Sequence, residues 1–389
     1  MANFRILRYS SLFLVPLFIC LHGCSQKRSI ASIAEVGAPA FYTVDDFASV
    51  EKFDVHVHVR QEIDTVFIKQ AEEDNFRLLN VNVYSGSGMP IEDQQRFALR
   101  QVEAFPGRIA YATAFSLQNW ESPDWEKQTL AYRKNSFSKG AVAVKVWKNI
   151  GLELREKNWD FVMIDNPRFD PILDYLAENK ITLIGHLGEP KNTWLPIEEM
   201  TVNGDKNYFT DHPQYHMHLH PEYPSYEDQV RARDQMLEKH PDLLFVGAHL
   251  GSVEWSVEEL AKRLDKYPNM AVDMAERISH LQYQALTDWQ KVHDFLVKYQ
   301  DRLLYATDLR IAASDITAKG LREPADVQQH AHEVWLRHWQ FFTTDELMRV
   351  PKVDGEFKGM KLPKEVVDKI YRENAEKWFP AMFKTKVKA

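Results

Sequence analysis

An α/β fold, closed as a (β/α)₈ barrel of the TIM type with a long insertion after the fifth strand, is what this sequence predicts. Three observations lead there. Strand-like apolar segments recur eight times between residues 52 and 308. Helix-like segments separate them, and β-then-α units in a single run build a parallel sheet covered by helices. No glycine-rich phosphate loop follows the first strand, which weighs against an open doubly wound sheet.

The first strand, 52–59, contains Phe53-Asp54-Val55-His56-Val57-His58-Val59. Side chains two apart on a strand share a face, so Phe53, Val55, Val57 and Val59 are expected on one side and Asp54, His56 and His58 on the other. The other strands are expected at 77–84, 109–115, 141–147, 181–187, 243–249, 269–274 and 302–308. Between them, Val257, Leu260, Ala261 and Leu264 fall on one helical face, and Val292, Phe295, Leu296 and Tyr299 repeat the pattern. Asp170-Pro171 places a capping residue before a proline at the first helical position. Segment 188–224 is too long for an ordinary βα connection and reads as a lid or pocket wall. A second insertion is expected near 309–322.

The chain has 389 residues, 44% of them hydrophobic and 27% charged, and a formal charge of −8. That is a globular composition, and without a basic block it gives no support to nucleic-acid binding. The first 24 residues stand apart. Arg5 and Arg8 precede the apolar run Leu12 to Leu21, which is too short for the roughly 20 residues a bilayer span needs. Leu21-His22-Gly23-Cys24 resembles a bacterial lipoprotein cleavage box, with His22 as a departure. The expected organisation is a signal peptide over 1–23, a tether over 24–45 and one barrel domain over 46–384. The protein would be exported to the cell envelope, either lipid-anchored to the membrane through Cys24 or periplasmic. Cleavage leaves Cys24 as the sole cysteine, which excludes an intrachain disulfide and argues against cysteine as a metal ligand.

In such barrels the chemistry sits at the carboxyl ends of the strands. The first strand ends in His56-Val57-His58, and imidazole is a good ligand for zinc and its neighbours. The fourth carries Lys145, the fifth ends in Gly185-His186-Leu187-Gly188, the sixth in Gly247-Ala248-His249-Leu250-Gly251, and the eighth in Ala306-Thr307-Asp308. Strand parity groups Lys145 with Ala143, His249 with Gly247 and Asp308 with Ala306. Arg277 or Arg310, beyond the seventh and eighth strands, could hold a substrate carboxylate bidentately, and either could equally serve as a salt-bridge partner inside the barrel mouth. Trp147 and Trp194 are candidates for a pocket wall. His216, His218 and His220 alternate within the lid, read mainly as a polar lid surface.

These residues, together with Asn374-Ala375-Glu376-Lys377-Trp378-Phe379, carry a resemblance. The chain is similar to the amidohydrolase superfamily, in the amidohydrolase-related branch that includes aminocarboxymuconate-semialdehyde decarboxylase, over most of residues 50–380. The resemblance implies that His56, His58, His186 and Asp308 hold one divalent metal, with zinc as the first choice, and that His249 is an acid/base group nearby. A metal there brings the pKa of water to about 7, and Asp308 takes the proton. Other branches carry a carboxylated lysine on the fourth strand that bridges two metals. Lys145 with His249 could thus complete a second site, or stay an ammonium that holds substrate or pairs with Asp308. The expected activity is metal-dependent hydrolysis of a small-molecule amide, ester or lactone. Nonoxidative decarboxylation by the same site is the alternative, and a non-catalytic envelope binding protein is the third reading.

Overall fold

Which residues of each strand face inward decides where the site can form. The computed structural model describes residues 40–60, 65–86, 88–311 and 323–383. Its main sheet runs β1 (Lys52–Val59), β2 (Phe76–Val81), β3 (Ile109–Ala114), β4 (Ala143–Val146), β5 (Thr182–Gly185), β6 (Phe245–Gly247), β7 (Met270–Asp273), β8 (Leu303–Leu304) and β9 (Leu309–Ile311). The spatial order is β8-β7-β6-β5-β4-β3-β2-β1-β9, and all neighbours are parallel. β8 and β9 are two pieces of one strand position. β8 pairs with β7, and β9 with β1. Two backbone bonds span the break between the pieces, Val55 N–H to Tyr305 O at 3.2 Å and Asp308 N–H to His56 O at 2.9 Å. The chain is therefore a (β/α)₈ barrel with its eighth strand interrupted.

Period-two burial holds around the barrel. Leu79, Val81, Ala143, Ile184, Val246, Ala271 and Leu304 share the interior cluster. Their sequence neighbours Leu78, Val144, Leu183, Phe245, Met270 and Leu303 pack outward with the helices. Each fully buried Leu, Val or Phe contributes about 1.5–3 kcal/mol of hydrophobic free energy. β1 departs from simple alternation. Phe53 and Val55 lie in the interior cluster, but Val57 and Val59 lie in the outer one. The register with β2 shifts between Asp54 and Val57, which marks a bulge. One extra residue reverses the faces beyond it. His56 and His58 thereby turn into the barrel, whereas Asp54 turns out and accepts from Trp335 Nε1 at 3.0 Å, on the helix Pro324–Thr343. The expected single face for Asp54, His56 and His58 is thus corrected.

The far end of the barrel is plugged. Ala375, Trp378 and Phe379 join the interior cluster, and Asn374 Nδ2 donates to Gln300 O at 2.6 Å and Leu303 O at 2.7 Å. The helices expected around Val257 and Val292 form as Val257–Lys266 and Trp289–Lys298. The helix Asp170–Glu178 includes Asp170 as its first residue, and Phe169 holds the cap position. After β5 the long insertion folds into short 3₁₀ turns and the helix Asn203–Asp211. An antiparallel hairpin, β10 (Leu347–Val350) with β11 (Val353–Lys358), has no counterpart in the sequence expectation. Ala40 is already tied to this unit, since Lys364 N–H donates to its carbonyl at 3.0 Å. The leader, Cys24 and most of the second insertion lie outside the described residues. Among the described residues, no helix is long and apolar enough to cross a membrane.

Candidate metal centre

The strands stop earlier than their apolar runs do, and the candidate residues stand just past the stops. β5 ends at Gly185, one residue before His186, and β6 ends at Gly247, two before His249. Gly247 follows inward Val246, so strand parity would send it outward and does not bring His249 in. A left-handed turn does. His249, Leu250, Gly251 and Ser252 have φ of 61°, 55°, 62° and 54°. Outside glycine this conformation costs roughly 1–2 kcal/mol per residue, so it needs anchoring. Arg233 donates to Gly251 O, Tyr226 OH to Ser252 O at 2.7 Å, and Ser252 Oγ to Gly188 O at 3.0 Å. A Cβ on Gly247 would lie 2.8 Å from Gly251 Cα, which is why glycine sits there. Asp308 is likewise left-handed, with φ 64°, in the break of the eighth strand.

The six strand-end residues line one cavity of about 590 Å³. His56, His249 and Asp308 each offer a ligand atom within 4.8 Å of the others. His58 Nε2 lies 3.0 Å from Asp308 Oδ1, and His56 Nε2 lies 3.7 Å from it. The His186 and His249 rings are 4.2 Å apart between centroids. Lys145 Nζ is 3.2 Å from His56 Nε2. The resemblance thus names His58 and His186 as ligands, and the tightest geometric group has His249 with His56 and Asp308.

The donor set fits a divalent cation. His58 Nδ1 donates to Val81 O at 2.7 Å, His249 Nδ1 to Ala275 O at 2.9 Å, and His56 Nδ1 to Asp273 Oδ2 at 2.9 Å. Each bond puts the ring proton on Nδ1 and leaves Nε2 as a bare lone pair, the second-sphere pattern of metal-ligating histidines. Burial lowers the His58 pKa to about 4, against the hydrogen bond and charge of Asp308. Burial likewise puts His186 and His249 well below the ordinary imidazole value, so these rings are neutral at pH 7. Burial works against ionisation of Asp308, and it is positive charge beside the carboxylate, a proton on His58 first or a cation in its place, that holds it well below the carboxylate range. A bare Nε2 and an ionised oxygen 3.0 Å apart are two acceptors facing each other. A cation between them resolves the repulsion. His186 Nε2 is buried without a hydrogen bond, 3.4 Å from Glu189 Oε2. Burial lowers Lys145 to about 8, with Asp273 and Asp308 pulling the other way.

Arg277 and Arg310 both line the cavity, as does Trp147. Trp194 instead packs on Tyr226, at 5.6 Å between ring centroids. The insertion contributes Gly204, Asp205, Tyr208, Phe209 and Tyr215 to the wall. In the histidine-rich stretch, His216 is buried and its Nε2 donates to Leu195 O at 2.8 Å, a packing role within the lid. Several lining residues escaped the sequence reading. Lys148 and Glu189 form a buried ion pair three residues past Lys145 and His186, so extending each strand end by one turn would have found them. Lys352 comes from the tip of the unforeseen hairpin and pairs with Glu276. Asp273, at the end of β7, stands behind the cavity wall with its Oδ2 on His56 Nδ1.

Residues 99–381 match the family model described as Amidohydrolase. Among solved structures, the chain is similar to an uncharacterised TIM-barrel protein of Bordetella bronchiseptica, at 16% identity over 86% of this chain and 99% of that one, with a TM-score of 0.46. It is similar to 2,6-dihydroxybenzoate decarboxylase from Rhizobium at 12% identity, over 85% and 98%, with a TM-score of 0.48. It is also similar to 4-oxalomesaconate hydratase of Rhodopseudomonas palustris at 13% identity, over 85% and 96%, with a TM-score of 0.43. At these values none of the three speaks to the substrate or reaction of this chain. No curated protein matches it.

Proposed function

The chain belongs to the amidohydrolase family, and from that premise we propose that it is a metal-dependent hydrolase of a small anionic amide, ester or lactone. The observation that carries the reading is the bare Nε2 of His58 facing the ionised Asp308 at 3.0 Å, with the Nε2 atoms of His56 and His249 freed in the same way. His56, His58, His186 and Asp308 would hold one divalent ion, zinc by donor type. When bound, such an ion acidifies water and polarises a carbonyl.

The chain's own residues supply the rest. Asp308 Oδ1 is ionised and placed to take a proton from water. His249 is neutral with its Nδ1–H anchored, so its Nε2 can accept a proton and return it to the leaving group. Arg60, Lys145, Lys148, Arg277, Arg310 and Lys352 line the cavity, against Glu189, Asp205, Glu276 and Asp308. This cationic lining, in a chain of net charge −8, favours an anionic substrate. It equally supports the second reading, loss of a substrate carboxyl group as carbon dioxide.

The test is metal content per chain together with turnover of paired neutral and carboxylated esters, lactones and amides in ¹⁸O-water. About one ion per chain and ¹⁸O in the product are expected. Two ions per chain would make Lys145 a carboxylated bridge and His249 a ligand. His56→Ala and Asp308→Asn should each lose metal or about 100-fold or more in rate. Full activity in either variant would sink the site. Carbon dioxide release without ¹⁸O uptake would replace hydrolysis by decarboxylation, and a metal-free protein that still binds small acids would favour a binding protein.

A further inference from the structure

We infer that Asp273 is the positioning residue of this centre, one carboxylate that fixes the ring of His56 and the backbone seat of His249 together. The inference rests on the metal reading proposed above and adds a residue that no ligand set includes. Asp273 ends β7 and is 1% exposed. Its Oδ2 lies 2.9 Å from His56 Nδ1. Its Oδ1 accepts from His249 N–H at 2.8 Å and from Ala275 N–H at 3.1 Å. Ala275 in turn offers its carbonyl to His249 Nδ1 at 2.9 Å. An ionised carboxylate only accepts, so it selects the His56 tautomer whose Nε2 is bare. The same group pins the first residue of the left-handed turn from which the His249 ring enters the cavity. Three N–H donors converge on two oxygens. Asparagine has one oxygen for them and turns an NH₂ toward at least one donor, so it cannot reproduce the arrangement.

The experiment compares the purified protein with Asp273→Asn and Asp273→Glu. Zinc affinity is read by competition with a chromophoric chelator, and the cobalt-substituted form by its visible spectrum. Asp273→Asn should bind zinc 10- to 100-fold more weakly, with an altered cobalt spectrum. Asp273→Glu, which keeps the carboxylate, should recover part of the affinity. Affinity within twofold of the parent and an unchanged cobalt spectrum would overturn the inference. If the variants do not fold, ¹⁵N-histidine NMR of the parent without metal decides. His56, assigned by loss of its signal in His56→Gln, should carry its proton on Nδ1, and a proton on Nε2 would overturn the inference. A parent that binds no zinc would refute the proposed function, and the tautomer measurement would still judge Asp273.

Discussion

Lys52 shows what one buried charge does to this molecule. It opens β1 fully buried, donates to Phe47 O and to Val50 O at 2.7 Å, and lies over the rings of Phe47, Phe76 and Trp339 at 4.5, 4.8 and 5.4 Å. Burial lowers its pKa to about 7, with Asp74 opposing, whereas an unfolded lysine titrates near 10.5. Between those values the unfolded chain holds more protons, so stability should rise with pH across that window, by about 1–4 kcal/mol. Below pH 7 the cost is fully present. Lys52→Met should abolish the rise, as measured by urea unfolding at pH 7 and pH 10; an equal rise in the variant would show that another group causes it. Residues of this kind divide the sequence reading. His56, His58, Lys145, His186, His249 and Asp308 were legible because each stands at or near the carboxyl end of an expected strand, and all six line one cavity. Asp273 was not, because its partner His56 stands 217 positions away and only the closed sheet brings them together.

At the scale of elements, the strand count and the long insertion could be read from period and length. Strand ends could not. The runs through 249 and 308 look continuous, but left-handed residues at His249 and Asp308 break them, held by bonds to distant side chains and carbonyls that no local pattern announces. The β1 bulge escaped for the same reason, since a period-two pattern carries no mark of an inserted residue. The insertion is latched to the barrel by Asp205. Its carboxylate accepts from Asn192 Nδ2 at 2.9 Å, and lies 3.2 Å from His280 Nε2 and 3.9 Å from Arg277. Burial opposes ionisation there, but the His280 bond and the Arg277 charge hold Asp205 well below the carboxylate range. Asp205→Ala takes one carboxylate from the buried Arg277, which keeps Glu254, Glu276 and Glu189 nearby, and should cost about 1–3 kcal/mol locally. Hydrogen exchange should quicken in 203–211 and stay unchanged in β3 and β4; uniform quickening would mean that Asp205 serves the whole fold.

Across the whole molecule, the barrel closes at one joint, and the joint runs through the site. Asp308 N–H to His56 O and Val55 N–H to Tyr305 O mend the interrupted strand, and the first of these joins two members of the candidate ligand set. An ion held by those side chains would act as a clasp on the staves of a cask: fastening it fastens the hoop. Zinc should then slow amide exchange at Val55 and Asp308 on the order of tenfold or more, with little change at Leu183 in β5 on the opposite wall, and a chelator should reverse it. Loss of metal would be felt first as a loosened seam, before any strand leaves its place.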